Sequence, residues 1–145
     1  MSQKKLLILS ILIASVLQIA SAQILDVRIQ NISNTKGQLC IAIFPDEAGF
    51  RVEKTYWETK CPKALVVNGS FELKIPLIPG KYGLSVLDDN NWNGKMEYNL
   101  FGIPREGFGF SNYYQKGIFR PSFGDFSFTL EKNETKQILV KMKYF

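Results

Sequence analysis

Between Leu25 and Tyr144 apolar and polar residues alternate with a period of two in one short run after another. A strand turns successive side chains to opposite faces, so each such run buries one face and wets the other. Leu25, Val27 and Ile29 alternate with Asp26, Arg28 and Gln30. Phe71, Leu73 and Ile75 share a face opposite Glu72 and Lys74, and Tyr82, Leu84 and Val86 repeat the pattern. Phe126, Phe128 and Leu130 do so again near the end, followed by Ile138, Val140, Met142 and Tyr144. Leu39 to Phe44 is apolar on both faces and reads as a central strand. Turn residues stand between the runs: Asn34 to Gly37, Asn68-Gly69, Pro79-Gly80 and Glu131 to Glu134. Asn68-Gly69 predicts a type I′ hairpin between Leu65–Val67 and Ser70–Ile75, because both central residues need positive φ. The expectation is an all-β, antiparallel sandwich of about seven strands, of the immunoglobulin-like kind. Its first two strands should form a hairpin. Pro45 to Lys60 carries helix-compatible residues and predicts one short helix or a crossing loop.

The first residues read as an export signal. Lys4 and Lys5 precede an apolar stretch from Leu6 to Ile19, broken only by Ser10, Ser15 and Gln18. Ala20-Ser21-Ala22 then places small residues where a signal peptidase reads. A membrane anchor needs about 20 apolar residues, and this run is shorter. The division expected is a signal peptide over 1–22 and one domain over 23–145, periplasmic or extracellular, with no membrane span in the mature chain. No Cys stands at the cleavage point to carry a lipid.

Basic residues outnumber acidic ones, 18 to 13. Two of the lysines lie in the leader and the rest are scattered, so the clustered stripe of a nucleic-acid binder is lacking. The chain contains no His, which removes the commonest general base and most catalytic triads. The expectation is a protein that is not an enzyme. Cys40 and Cys61 are the two cysteines, and in an oxidising compartment they would close a loop of about 20 residues as a disulfide. Two separate buried thiols are the other reading.

The segment from Asp88 to Gly124 breaks the alternation and is rich in Gly, Asn and aromatic residues. Long ordered loops in compact domains are uncommon and often functional. Asp89, Asn91 and Asn93 fall at positions one, three and five of a calcium loop, Gly94 at six, the Lys95 carbonyl at seven and Glu97 at nine. A hard cation takes six to eight oxygens, and Gly permits the turn that gathers them. Position twelve, where a bidentate Glu belongs, is Leu100. The alternative is an Asx-rich turn bonded to its own backbone. Beyond it, Trp92, Arg105, Glu106, Phe108, Tyr113 and Tyr114 are candidates for touching a protein or glycan partner. Phe108 and Phe110 can equally fold this loop onto the sandwich. A hydrolytic pair drawn from Asp88, Asp89, Glu97 or Glu106 would need a defined carboxylate separation, which sequence leaves open.

The run Leu87-Asp88-Asp89-Asn90-Asn91-Trp92-Asn93-Gly94-Lys95-Met96-Glu97, with Asn99 to Asn112, resembles the signature of a bacterial family of exported domains known only as domain of unknown function 2141. That signature reads roughly H-D-x-N-x-N-G-K-L-D-x-N, then F-G-I-P-x-E-G-[YF]-G-F-S-N, then Pro-x-F-x-[DE], matched here by Pro121 to Asp125. The Gly37 to Phe44 strand and Pro79 to Tyr82 fit as well, so the likeness covers essentially the whole mature chain. It implies a signal peptide, a prealbumin-like or carboxypeptidase-regulatory-like β-sandwich, and no established activity. This chain departs from the pattern at Asp88, where the family has His, at Trp92, where it has Gly, and at Glu97, where it has Asp. The functions to weigh are a non-catalytic envelope-binding domain stabilised by calcium and, as an alternative, a carbohydrate-binding module using Trp92, Tyr113 and Tyr114.

Overall fold

The alternating runs become strands, and the computed structural model describes them over residues 23–145. The expected signal peptide over 1–22 lies outside the described residues. Strand β1 (Gln23–Gln30) buries Leu25, Val27 and Ile29 completely. β2 (Gln38–Phe44) follows, then a one-turn helix α1 (Glu47–Arg51), β3 (Trp57–Pro62) and a 3-10 turn at Lys63–Leu65. After them come β4 (Phe71–Leu77), β5 (Gly80–Asp89), β6 (Gly107–Phe110), the short helix α2 (Phe123–Phe126), β7 (Ser127–Leu130) and β8 (Thr135–Lys141). Helix α1 starts where the Asp46 carboxylate accepts the Gly49 amide at 2.7 Å, an N-cap bond.

These strands form two sheets, as the all-β expectation required. The smaller has the order β4-β1-β8, and the larger runs β3-β2-β5-β6 with β7 also paired to β5. β5 is long enough to share one edge between two partners. Gly80–Gly83 pairs with β7, and Ser85–Asp88 pairs with β6. The faces of both sheets meet in a core that includes Leu25, Val27, Leu39, Ile41, Leu84, Ile138 and Val140. A second, aromatic cluster lies on the outer face of the larger sheet. There α1 and α2 press Phe50, Phe123 and Phe126 against Phe44 and Phe110. Gly83 makes that layer possible, since a Cβ there would meet the Phe126 ring at 2.5 Å.

The structure differs from the expectation in four places. The first two strands do not form a hairpin: β1 lies in one sheet and β2 in the other. Their apolar faces look at each other across the core, so the alternation correctly marks the faces without naming the neighbours. Pro45 to Lys60 does hold one short helix, α1, but it also holds most of a strand that was not expected. Glu53 takes φ 57 and the chain returns as β3, a strand of alternating half-buried and exposed residues. Asn68 (φ 50) and Gly69 (φ 71) do make the expected turn, but its first arm is the 3-10 turn followed by one Val67–Ser70 bridge. Lastly, the sandwich is not wholly antiparallel, because β1 runs parallel to β8.

Of the two readings of Cys40 and Cys61, the structure has the separate thiols and not the disulfide: both are free and half-buried. The register explains it. Cys40 stands opposite Lys60 and Cys61 opposite Leu39, so the two sulfurs project from opposite faces of the same sheet.

Candidate functional site

Two successive carboxylates at the end of β5 must point to opposite faces, and the site follows from that division. Asp88 turns inward to the rim of the core. There Lys63 reaches it from the 3-10 turn, with Nζ 2.5 Å from Oδ1 and both side chains fully buried. Lys63 also donates to Asn34 Oδ1 at 2.9 Å and Asn90 Oδ1 at 3.2 Å. The second Asp88 oxygen accepts the Tyr144 hydroxyl at 2.6 Å. Burial first, and then the neighbouring Asp88, push the Tyr144 phenol up to about 12. A buried charge pair persists only when its remaining donors and acceptors are met. This one is met from the β1–β2 link, the start of the long loop and the C-terminal segment at once.

Asp89 faces the outer side and organises the loop. Its Oδ2 accepts Gln38 Nε2 at 2.6 Å and the Gly94 amide at 2.8 Å, and its Oδ1 accepts the Asn93 amide at 3.2 Å. Burial works to raise this carboxyl, but those donors outweigh it and hold it below its ordinary value. The chain can bend so sharply here because Trp92 (φ 66) and Gly94 (φ 71) take the left-handed region. Asn91 Oδ1 accepts the Asn93 amide at 3.1 Å, and Asn93 Oδ1 accepts the Lys95 amide at 2.8 Å. Both of their Nδ2 groups converge on Glu97 Oε1, at 3.2 and 3.0 Å. Asp89, Asn91, Asn93 and Glu97 are therefore gathered around one turn, with the Lys95 backbone beside them. Among the described residues no three His, Cys, Asp or Glu side chains stand together as a ready metal cage.

Past Glu97 the loop is a small hairpin rather than an irregular excursion. Tyr98 bridges Pro104, and Asn99 Oδ1 ties the amides of Phe101 and Ile103 at 2.9 and 3.0 Å. Leu100 and Phe101 stand at its tip, 101% and 84% exposed. The return arm is pinned by the Arg105 amide on the Glu97 carbonyl at 2.8 Å. That places Glu106 beneath the loop, 6% exposed, with Oε1 accepting the Asn90 amide at 3.2 Å. Its Oε2 is buried without a hydrogen-bond partner. Burial raises the Glu106 carboxyl, and the charges of Asp89 and Glu97 add to this against the opposing Asn90 amide.

The other candidates separate. Arg105 is exposed and forms no ion pair with Glu106 among the described residues. Phe108 packs against the aromatic layer, 5.9 Å from Phe110 and 6.1 Å from Phe145, so it folds the loop down. Tyr113 packs on the same layer, while Tyr114 is exposed under a cation–π contact from Lys141 at 5.3 Å. Trp92 follows the C-terminal end of β5, whereas Tyr113 and Tyr114 lie beyond β6, which runs back antiparallel. The three rings do not make one platform. Burial raises both thiols, that of Cys40 to about 11, which leaves them protonated and poorly reactive near neutral pH.

Sequence reasoning missed Lys63, Gln38 and Tyr144. A lysine after Cys61-Pro62 carries no local signal of burial, since its partner Asp88 lies 25 residues away. A family model described as "Uncharacterized protein conserved in bacteria (DUF2141)" matches residues 27–138. No curated protein and no solved structure matches the chain.

Proposed function

The chain belongs to this uncharacterised bacterial family, DUF2141, and from that premise we propose an exported, non-catalytic β-sandwich domain. Its Asp89–Glu97 turn takes up calcium, and the adjoining Gly/aromatic hairpin meets a protein or glycan partner at the cell envelope. The observation that carries the calcium reading is the Asp89 carboxylate holding the amides of loop positions five and six. That anchorage keeps the side chains of Asn91, Asn93 and Glu97 within bonding distance of one another. Oxygen-only ligands of this kind suit a hard cation, and sites working outside the cell serve at ~10⁻⁴–10⁻³ M affinity.

A non-catalytic role is supported by how the acids are employed. Asp88 is consumed in a buried ion pair and Asp89 in holding the turn. Export is supported by the leader motif ending at Ala22. Exposed Trp92, Tyr98, Leu100 and Phe101 supply the apolar contacts of the proposed binding face. The carbohydrate-module alternative lacks its ring platform and is not favoured.

Thermal unfolding of the purified protein in 10 mM CaCl₂ against chelator tests the metal. Mass action predicts about 1–3 kcal/mol of added stability at affinities of ~10⁻⁴–10⁻³ M, a rise in Tm of roughly 3–10 °C for a domain of this size. An unchanged Tm would remove calcium from the reading.

A further inference from the structure

β3 ends the larger sheet, and among the described strands only β2 pairs with it. Just past it, the Lys63 amide donates to the Gly37 carbonyl at 3.0 Å, one step beyond the Gln38–Pro62 pairing. Bonded pairs recur at every second position of an antiparallel ladder. Cys61, Thr59 and Trp57 therefore turn their backbone groups to β2, while Glu58 and Lys60 turn theirs outward. Pro62, which has no N–H to offer, falls on the outward side as well. An open edge of this kind is a template for another strand. The side chains of Glu58 and Lys60 are exposed, and neither has an ion-pair partner among the described residues. β4, an edge of the smaller sheet, carries Glu72 and Lys74 in the same spacing, but Arg28 already holds Glu72 at 2.7 Å.

We propose that a second copy of this chain covers the edge, β3 lying antiparallel to β3 about a two-fold axis at Thr59. In that register Glu58 of each copy stands opposite Lys60 of the other, so the dimer gains two ion pairs. The same two residues supply the outward N–H and C=O groups, which bond across the axis as in any antiparallel ladder. A slide of two residues either way brings Glu58 against Glu58 or Lys60 against Lys60, and like charges directly opposite oppose both. The charge pattern thus selects one register and makes the strand complementary to itself. On the other face Thr59 meets Thr59, and half-buried Trp57 meets half-buried Cys61. One patch serves both copies, so the contact closes at two instead of growing into a fibre. The proposal is independent of the calcium reading.

Sedimentation velocity over a concentration series tests this on the wild type, Glu58→Lys, Lys60→Glu and the double variant that exchanges the two charges. A single strand edge makes a small interface of the weak, transient class, so the series should reach about 0.5 mM. The wild type should pass from monomer to dimer within it. Either single variant turns both ion pairs into like-charge contacts and should dimerise roughly 10-fold more weakly or worse. Mixing the two single variants in equal amounts restores opposite charges at both contacts and should recover the dimer, as should the double variant. Both sites are exposed, so all variants should melt as the wild type does when dilute. A wild type that stays monomeric throughout overturns the proposal. So does a wild-type dimer that either single variant forms equally well, or a mixture that stays monomeric when the wild type does not.

Discussion

Lys63, Asp88 and Tyr144 show how much one buried charge can ask of its surroundings. The ammonium and carboxylate are fully buried at 2.5 Å, so removing one partner strands the other in the core rim. Lys63→Met should therefore cost about 3–5 kcal/mol in urea unfolding. The double variant Lys63→Met with Asp88→Asn leaves an amide that can still accept the Tyr144 hydroxyl, and should recover most of that loss. A single variant within about 1 kcal/mol of wild type would show that the pair does not hold the rim together. Asp88 is also the position at which the signature that the sequence resembles reads His. Here the position acts through charge pairing with Lys63, a role that a neutral imidazole would not fill.

β6 explains a motif at the scale of the element. Gly107-Phe108-Gly109-Phe110 lies in the segment read as a long ordered loop, yet it is a strand against β5. Its glycines lie where another chain segment passes. A Cβ on Gly107 would sit 2.1 Å from the Tyr144 ring, and one on Gly109 2.5 Å from Val140. Gly107→Ala should push Tyr144 off Asp88 and destabilise by about 1–3 kcal/mol. Gly124→Ala, which meets nothing within 4 Å, should stay within about 0.5 kcal/mol. If the two variants melt alike, the close approach at Gly107 carries no energy. The same strand marks the limit of legibility. Leu25, Val27 and Ile29, or Tyr82, Leu84 and Val86, could be read directly because a period of two is a local property. The Gly and Asn of the long loop announced a turn for the same reason. Trp57, Thr59 and Cys61 also alternate, but Glu47, Ala48 and Glu53 before them, and Trp57 itself, are compatible with helix, and no turn signal announced β3. What stayed illegible was every non-local choice: β1 against β8 instead of β2, Lys63 against Asp88, and Glu106 folded beneath Asn90.

For the molecule as a whole, the smaller sheet joins the two ends of the described chain. β1 is its central strand, bonded to β4 on one side and to parallel β8 on the other, from Ile24 opposite Thr135 to Gln30 opposite Lys141. Deleting residues 135–145 would uncover that edge and take Ile138, Val140 and Met142 out of the core. The expected result is loss of the cooperative thermal transition, followed by circular dichroism. A truncated protein that still melts sharply would mean that the larger sheet stands by itself. Contacts spanning nearly the full sequence also slow folding, because the ends must meet before the pairing rewards them. Synthesis runs from the first strand to the last, so β8, the second partner of β1, is made after all the other described strands. Until then the polypeptide has no closed sandwich and stays threadable, the condition that the proposed passage through a membrane pore would require.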